Sequence, residues 1–291
     1  MPNAELIGKT VIVTGASKGL GRAIAAGLVD SGATVAICDL DGKALETTAS
    51  DIRAGTDADR VFAAACDISD ETATAQFVDS VITRFGKIDG LINNAGLGGA
   101  AVRPDFMSNP VPIWNLEPGE WRRVIEVNTT GTFLMTRWAT PHMVRAGAGR
   151  IINITTTFQT MLAPSFGAYG PSKAGIEAMT SILVEELENT GVTVNVLVPG
   201  GPADTGQFPD GMIADRSKLL RPEVMVPPAV FLCSDESAHI SGRRFAAAQW
   251  NDALPLAERL DVCTEPVAWR QLVEPLVTTE GVTISTSRGA E

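Results

Sequence analysis

Tyr169 is the only tyrosine of the chain, and Lys173 stands four residues beyond it. On a helix, side chains at i and i+4 leave from one face, which brings phenol and ammonium side by side. A neighbouring cation favours phenolate, the charged form. Tyrosine begins near pKa 10, so bringing it to about 7 takes roughly 3 units, or ~4 kcal/mol. Such a pair can exchange a proton with a substrate near neutral pH, although an ordinary surface Tyr–Lys pair has the same spacing. A second chemical feature is the turn Thr14-Gly15-Ala16-Ser17-Lys18-Gly19-Leu20-Gly21. Between a strand and a helix, its glycines allow a tight bend and bring helix N-terminal amides to a pyrophosphate. The spacing is GxxxGxG, not the GxGxxG of the common dinucleotide fingerprint, and a plain strand-to-helix turn is the competing reading. Asp39 falls 18 residues after Gly21, where a carboxylate can accept hydrogen bonds from the adenosine ribose hydroxyls. It would repel a 2′-phosphate, so NAD is expected over NADP. Lys18 argues the other way, because its ammonium could meet that phosphate; Asp39 outweighs it.

Two other motifs overlap this region. Gly8-Lys9-Thr10 looks like the end of a P-loop, but the earlier glycine would fall at Asn3 and a strand follows instead of a helix. Gly15-x-Ser17-x-Gly19 has the form of a hydrolase nucleophile elbow, with His142 or His239 as the candidate base. An elbow on the first strand leaves no earlier strand to supply the usual oxyanion-hole loop. A serine hydrolase using Ser17 is therefore a minor alternative, and a catalytically silent dinucleotide-binding regulator is the other.

The elements that must position these residues read as alternating short apolar runs and helical stretches. Runs occur at Val11–Thr14, Thr34–Cys38, Val61–Ala65, Gly90–Asn93, Ile151–Ile154, Val192–Val198 and, weakly, Arg244–Ala248. Continuous Val- and Ile-rich runs suit strands covered on both faces, as in a parallel sheet. Leu20–Ser31, Ala73–Phe85 and Lys173–Asn189 are long enough for crossover helices. Repeated βα units predict one doubly wound α/β domain of about seven strands with helices on both faces. Gly96–Gly119 is rich in Gly and Pro, and Pro199–Pro228 holds six prolines. Both follow a strand end, where open α/β sheets place their ligand crevice. The domain is expected over residues 1–251, with 252–291 as an extension packed on it or on a neighbouring subunit. Within that extension, Val267–Val277 reads as a helix interrupted at Pro275, and Thr283–Glu291 as a frayed polar end.

Composition bounds the function. The 291 residues carry 23 basic and 34 acidic side chains, a formal net charge of −11. That balance argues against broad capture of nucleic acid or anionic lipid. No run approaches the roughly 18 apolar residues that span a bilayer, and the first residues lack a signal-peptide pattern. Cys38, Cys66, Cys233 and Cys263 lie far apart without a C-x-x-C pair, as expected of buried thiols in a reducing compartment. With two histidines, a His-rich metal site is not expected. A cytoplasmic protein with no nucleic-acid, membrane or metal partner is the expectation.

In this order of elements the chain resembles the short-chain dehydrogenase/reductase family, over roughly residues 6–251. The matching pieces are Thr14-Gly-x-x-x-Gly-x-Gly, Asp67 after the third strand, Asn93-Asn94-Ala95-Gly96, Asn128, Thr156, Tyr169-x-x-x-Lys173 and Pro199-Gly200. The resemblance implies a Rossmann-type fold and an NAD(P)-dependent oxidoreductase that interconverts a secondary alcohol and a ketone. It implies Tyr169 as general acid/base, with Lys173 lowering the tyrosine pKa and holding the nicotinamide ribose. Asn128 would order a water joining Lys173 to solvent. Thr156 departs from the serine usual there; its hydroxyl can make the same hydrogen bond, while its methyl narrows the pocket. Thr155 is a weaker stand-in. Cofactor contacts are implied for Gly15, Ser17, Lys18, Gly19, Leu20, Gly21, Asp39, Leu40, Asp67, Ile68, Asn94, Ala95, Gly96, Pro199 and Gly200, besides Tyr169 and Lys173. Asn93 reads as structural.

Phe158, Met161, Leu162 and Phe166 precede Tyr169, and Phe208 and Met212 lie in the Pro-rich segment. If they face the nicotinamide, the pocket is apolar and suits an alcohol or ketone of modest size. Arg103, Arg216, Lys218 and Arg221 are candidates for a substrate carboxylate or phosphate. Gln249-Trp250-Asn251 replaces the Asp-Gly-Gly end of many relatives. The resemblance also implies a homodimer or homotetramer, built partly on the helix that carries Lys173.

Overall fold

A computed structural model of the chain describes residues 4–206 and 211–272. Strands β1 (Thr10–Thr14), β2 (Thr34–Asp39), β3 (Val61–Ala65), β4 (Gly90–Asn93), β5 (Gly149–Ile154), β6 (Val192–Val198) and β7 (Arg243–Ala246) run parallel. An eighth, β8 (Thr264–Pro266), pairs antiparallel with β7. The order is β3-β2-β1-β4-β5-β6-β7-β8. Among the described residues the expected count of about seven strands is thus corrected to eight, the last supplied by the C-terminal extension. Its three residues carry no alternation and include a proline, which strands avoid except at edges.

Alternate residues of each central strand face opposite helical layers. Val11 and Val13 join the cluster formed with α1 (Gly19–Asp30), α2 (Gly42–Arg53) and α8 (Val226–Cys233). Ile12 points to the other layer, with α3 (Glu71–Phe85) and α5 (Gly131–Ala146). That double burial is why these runs are apolar without a polar alternate. Asp41 and Asp70 cap α2 and α3 by accepting the amides of Ala44 and Ala73.

Three further elements bear on the site. The helix α4 (Pro118–Ile125) runs into α5 through a π-helical turn over Glu126–Thr130. A single turn, α6 (Phe158–Met161), precedes α7 (Tyr169–Glu186), which starts four residues earlier than the apolar pattern indicated. The extension adds α9 (Leu256–Cys263) before β8. Trp250 packs against Phe231 with ring centroids 5.1 Å apart, so the departure at Gln249-Trp250-Asn251 is absorbed by this chain's own core. The expected helix over Val267–Val277 is not seen where described. Ala268 and Trp269 take left-handed backbone (φ 51 and 55), and Arg270–Leu272 form a short 3-10 turn. Its remainder and Thr283–Glu291 lie outside the described residues.

Candidate active site

The chain leaves β1 for β2 on one side, and β4 lies on the other. At such a reversal the loops after neighbouring strands diverge and open a crevice at the carboxyl edge. The glycine turn follows β1, the Asn94–Gly96 segment follows β4, and the Thr155–Thr157 segment follows β5. All three meet at this edge.

The glycines are there for space as well as conformation. Gly15 has φ +64, and a Cβ on it would lie 2.6 Å from Ala95 Cα. A Cβ on Gly21 would lie 2.2 Å from the Gly15 carbonyl oxygen. The turn is therefore folded tightly against the β4 loop. Asn94 Nδ2 donates to the carbonyls of Thr14 and Gly15, each at 2.9 Å. Thr14 Oγ1 accepts from the amides of Asn94 and Ala95 at 3.0 Å. Asp39 accepts the Ser17 amide at 3.0 Å and the Asp41 amide at 3.1 Å, so its carboxylate is fixed beside the turn. A carboxylate offers about four acceptor positions, which leaves capacity for hydroxyl donors. Leu20 packs on the core, whereas Lys18 and Leu40 are exposed. Asp67 is exposed and accepts from Ser69, while Ile68 is buried against Gly131.

Tyr169 opens α7 and is 8% exposed. One turn on, Lys173 places its ammonium 5.9 Å from the centre of the tyrosine ring. That ammonium donates to the carbonyl of Ile154 at 2.9 Å, two residues before Thr156. Burial lowers the Lys173 pKa from 10.5 to about 8, because a charged form is disfavoured away from water. Gly96 closes the group: a Cβ there would lie 3.2 Å from Asn128 Oδ1 and 3.4 Å from Lys173 Nζ. Asn128 sits in the π-helical turn, accepts the Leu97 amide at 2.7 Å, and donates to the Leu97 carbonyl and to Ser172 Oγ. Ser172 Oγ in turn donates to the Tyr169 carbonyl at 2.7 Å. Thr155 is committed elsewhere, since its hydroxyl donates to the buried carboxylate of Glu177 at 2.8 Å. Thr156 is the partly exposed threonine of the pair. Asn93 donates to Thr136 and Asn153 within the interior, a structural role. Pro199 and Gly200 lie at the end of β6, where the Pro199 carbonyl accepts the Ala248 amide at 2.9 Å.

A pocket adjoins Tyr169, walled by Val102, Phe106, Val111, Leu116 and Phe166. Phe106 and Phe166 meet edge to face at 5.2 Å. Of the apolar residues before Tyr169, Phe166 lines this pocket, Leu162 is exposed and Met161 is buried under α7. Phe208 lies outside the described residues. Among the basic candidates, Arg103 also borders the pocket but is paired with Asp105 at 2.7 Å, and Arg216 is paired with Asp204.

The two histidines stand at the wrong edge for a hydrolase. His142 is near the end of α5, four residues from Ala146, and His239 shortly precedes β7. Both therefore lie towards the strands' amino ends, opposite Ser17. Two contributors lie outside the motifs read from sequence, Ser172 as the link between Asn128 and Tyr169 and Phe106 in the pocket wall, and Thr14 gains a role as a hydroxyl clamp that the motif did not assign. The serine beside Lys173 was the one available signal.

A family model described as short chain dehydrogenase matches residues 9–208. A short-chain type dehydrogenase/reductase of Picea abies is 35% identical over 251 residues, covering 81% of this chain and 89% of its own. The D-threitol dehydrogenase of Mycolicibacterium smegmatis is 32% identical over 247 residues, covering 82% and 90%. A solved short chain dehydrogenase of Shigella flexneri, complexed with NADP, aligns with a TM-score of 0.74 at 27% identity, covering 84% of this chain and 99% of that one.

Proposed function

This chain belongs to the short-chain dehydrogenase family, and from that premise we propose that it interconverts a secondary alcohol and a ketone, with Tyr169 as general acid/base and NAD preferred over NADP. The observation that carries the reading is the Tyr169–Lys173 pair, with the ammonium anchored on the Ile154 carbonyl just before Thr156. The residues fit a dinucleotide. Glycine at 15 and 21 lets the turn pack tightly against the β4 loop, Gly96 keeps the space beside Asn128 and Lys173 clear of a side chain, and the Asp39 carboxylate is fixed beside the turn. A bound nicotinamide supplies hydride for reduction and takes it up in oxidation.

The chain's own residues handle the rest. In reduction the Tyr169 phenol gives its proton to the carbonyl oxygen; in oxidation the phenolate takes the alcohol proton. The Lys173 ammonium, charged below its pKa of about 8, favours the phenolate. The Thr156 hydroxyl donates to the substrate oxygen. The pocket of Val102, Phe106 and Phe166 beside Tyr169 suits an apolar flank on the reacting carbon. Leu40, Asp67 and Ile68 line the adenine end of this reading, and Pro199 and Gly200 its nicotinamide end. Self-association as a homodimer or homotetramer belongs to the same reading, supported by exposed Ile182 on α7 and Phe133 on α5.

The test is a fluorescence titration with NADH and with NADPH. NADH is expected to bind more tightly, and Asp39→Asn is expected to narrow the gap about tenfold, as loss of one charge interaction does. Tighter NADPH binding would overturn the preference, and binding of neither would overturn the function. Binding without turnover of any secondary alcohol would favour a silent regulator.

A further inference from the structure

The loop that carries Thr156 is held from a direction that its own strand does not explain. Glu177, fully buried on α7, and Arg244, on β7 beside Val196, form an ion pair at 3.1 Å. Each reaches the loop: Thr155 Oγ1 donates to Glu177, and Arg244 Nη2 donates to the Thr156 carbonyl. The guanidinium also lies 4.1 Å above the ring of Phe158. A buried pair of this kind does not by itself stabilise a fold, but it fixes geometry strongly when each member is saturated.

The C-terminal extension supplies the missing partners. Glu265 accepts from Arg244 Nη1 at 3.0 Å, and the Ala268 amide donates to Glu177 Oε2 at 3.3 Å. Trp269 stacks on Phe158 with centroids 5.4 Å apart and an interplanar angle of 29°. Ala268 and Trp269 reach these places through left-handed backbone that non-glycine residues rarely adopt. Such conformations persist only where surrounding contacts over-determine them.

We propose that Glu265, Ala268 and Trp269 are positioning residues for the reaction: through Arg244, Glu177 and Phe158 they clamp the Thr155–Phe158 segment and so hold Thr156 at the reacting oxygen. The inference rests on the proposed function, which gives Thr156 its role. It assigns the extension a part in turnover that neither the glycine turn nor the Tyr169–Lys173 pair supplies.

Full-length Trp269→Ala and Glu265→Gln test it, with Trp269→Phe as the conservative control. The first readout is amide hydrogen exchange at Met161, Leu162 and Ala163, whose amides bond to the carbonyls of Thr157, Phe158 and Thr160. Exchange there is expected to rise in Trp269→Ala, to return in Trp269→Phe, and to stay unchanged along α7. The second is oxidation of 1-phenylethanol with NAD⁺, where kcat is expected to fall at least about tenfold, as small misplacements do, with NADH affinity unchanged. Unchanged exchange, or a loss of protection spread evenly over α7 and β6, would overturn the clamp. If the parent chain neither binds NADH nor oxidises the alcohol, the proposed function fails, and exchange alone still decides the clamp.

Discussion

Lys173 carries its charge in a place that disfavours charge, and that tension can be measured. Its pKa falls from 10.5 to about 8 on burial. Below pH 8 the amine is protonated in both folded and unfolded chains, so folding bears the whole penalty, about 3 kcal/mol. Between pH 8 and pH 10.5 the unfolded chain holds the proton and the folded chain does not, so stability from this group rises with pH. Above pH 10.5 the penalty is gone. Lys173→Met is therefore expected to be as stable as the parent chain or more so at pH 7. That advantage should shrink from pH 8 to pH 10.5 in guanidinium titrations, offset by the lost bond to Ile154. The same variant should lose turnover, which separates the energetic cost of the residue from its use. Tyr169→Phe should lower kcat by about 10²- to 10⁴-fold, the usual worth of a positioned acid/base, while NADH still binds in titration.

At the scale of elements, the turn from β1 into α1 is set by contact distance. Gly21→Ala would drive a Cβ to within 2.2 Å of the Gly15 carbonyl, so the turn must shift away from Asn94. NADH affinity should fall at least about a hundredfold, since a displaced turn loses several hydrogen bonds to the cofactor at about 1 kcal/mol each; titration checks it. This turn was legible because its chemistry is local: glycines at fixed offsets, a strand before, a helix after. The same holds for Tyr169 and Lys173, one helical turn apart. Glu177 and Arg244 were not legible, because 67 residues separate partners that only the sheet order brings together. Phe106 was hidden in a loop with no period to read. β8 was missed because three residues with a proline give no strand pattern.

For the molecule as a whole, ligand binding should appear as stability. A cofactor that binds only the folded chain adds about 2.7 kcal/mol at a hundred times its Kd. NADH is expected to raise the melting temperature by several degrees, and NADPH at the same concentration by less; a thermal scan distinguishes them. Equal shifts would contradict the role given to Asp39. Among the described residues no helix is long and apolar enough to cross a membrane. The sheet has one more property, which comes from β8. Laid antiparallel on β7, it covers the ladder positions of Arg243, Arg244 and Phe245. It then ends after three residues at Pro266, which has no N–H to offer another strand. A long bare edge is a template for other chains, and short strands ended by proline are how such edges are blunted. Cutting the chain before Thr264 would uncover β7 and leave its edge open to strand pairing between molecules. The segment proposed to steady one loop for chemistry thus also blunts the edge of the sheet.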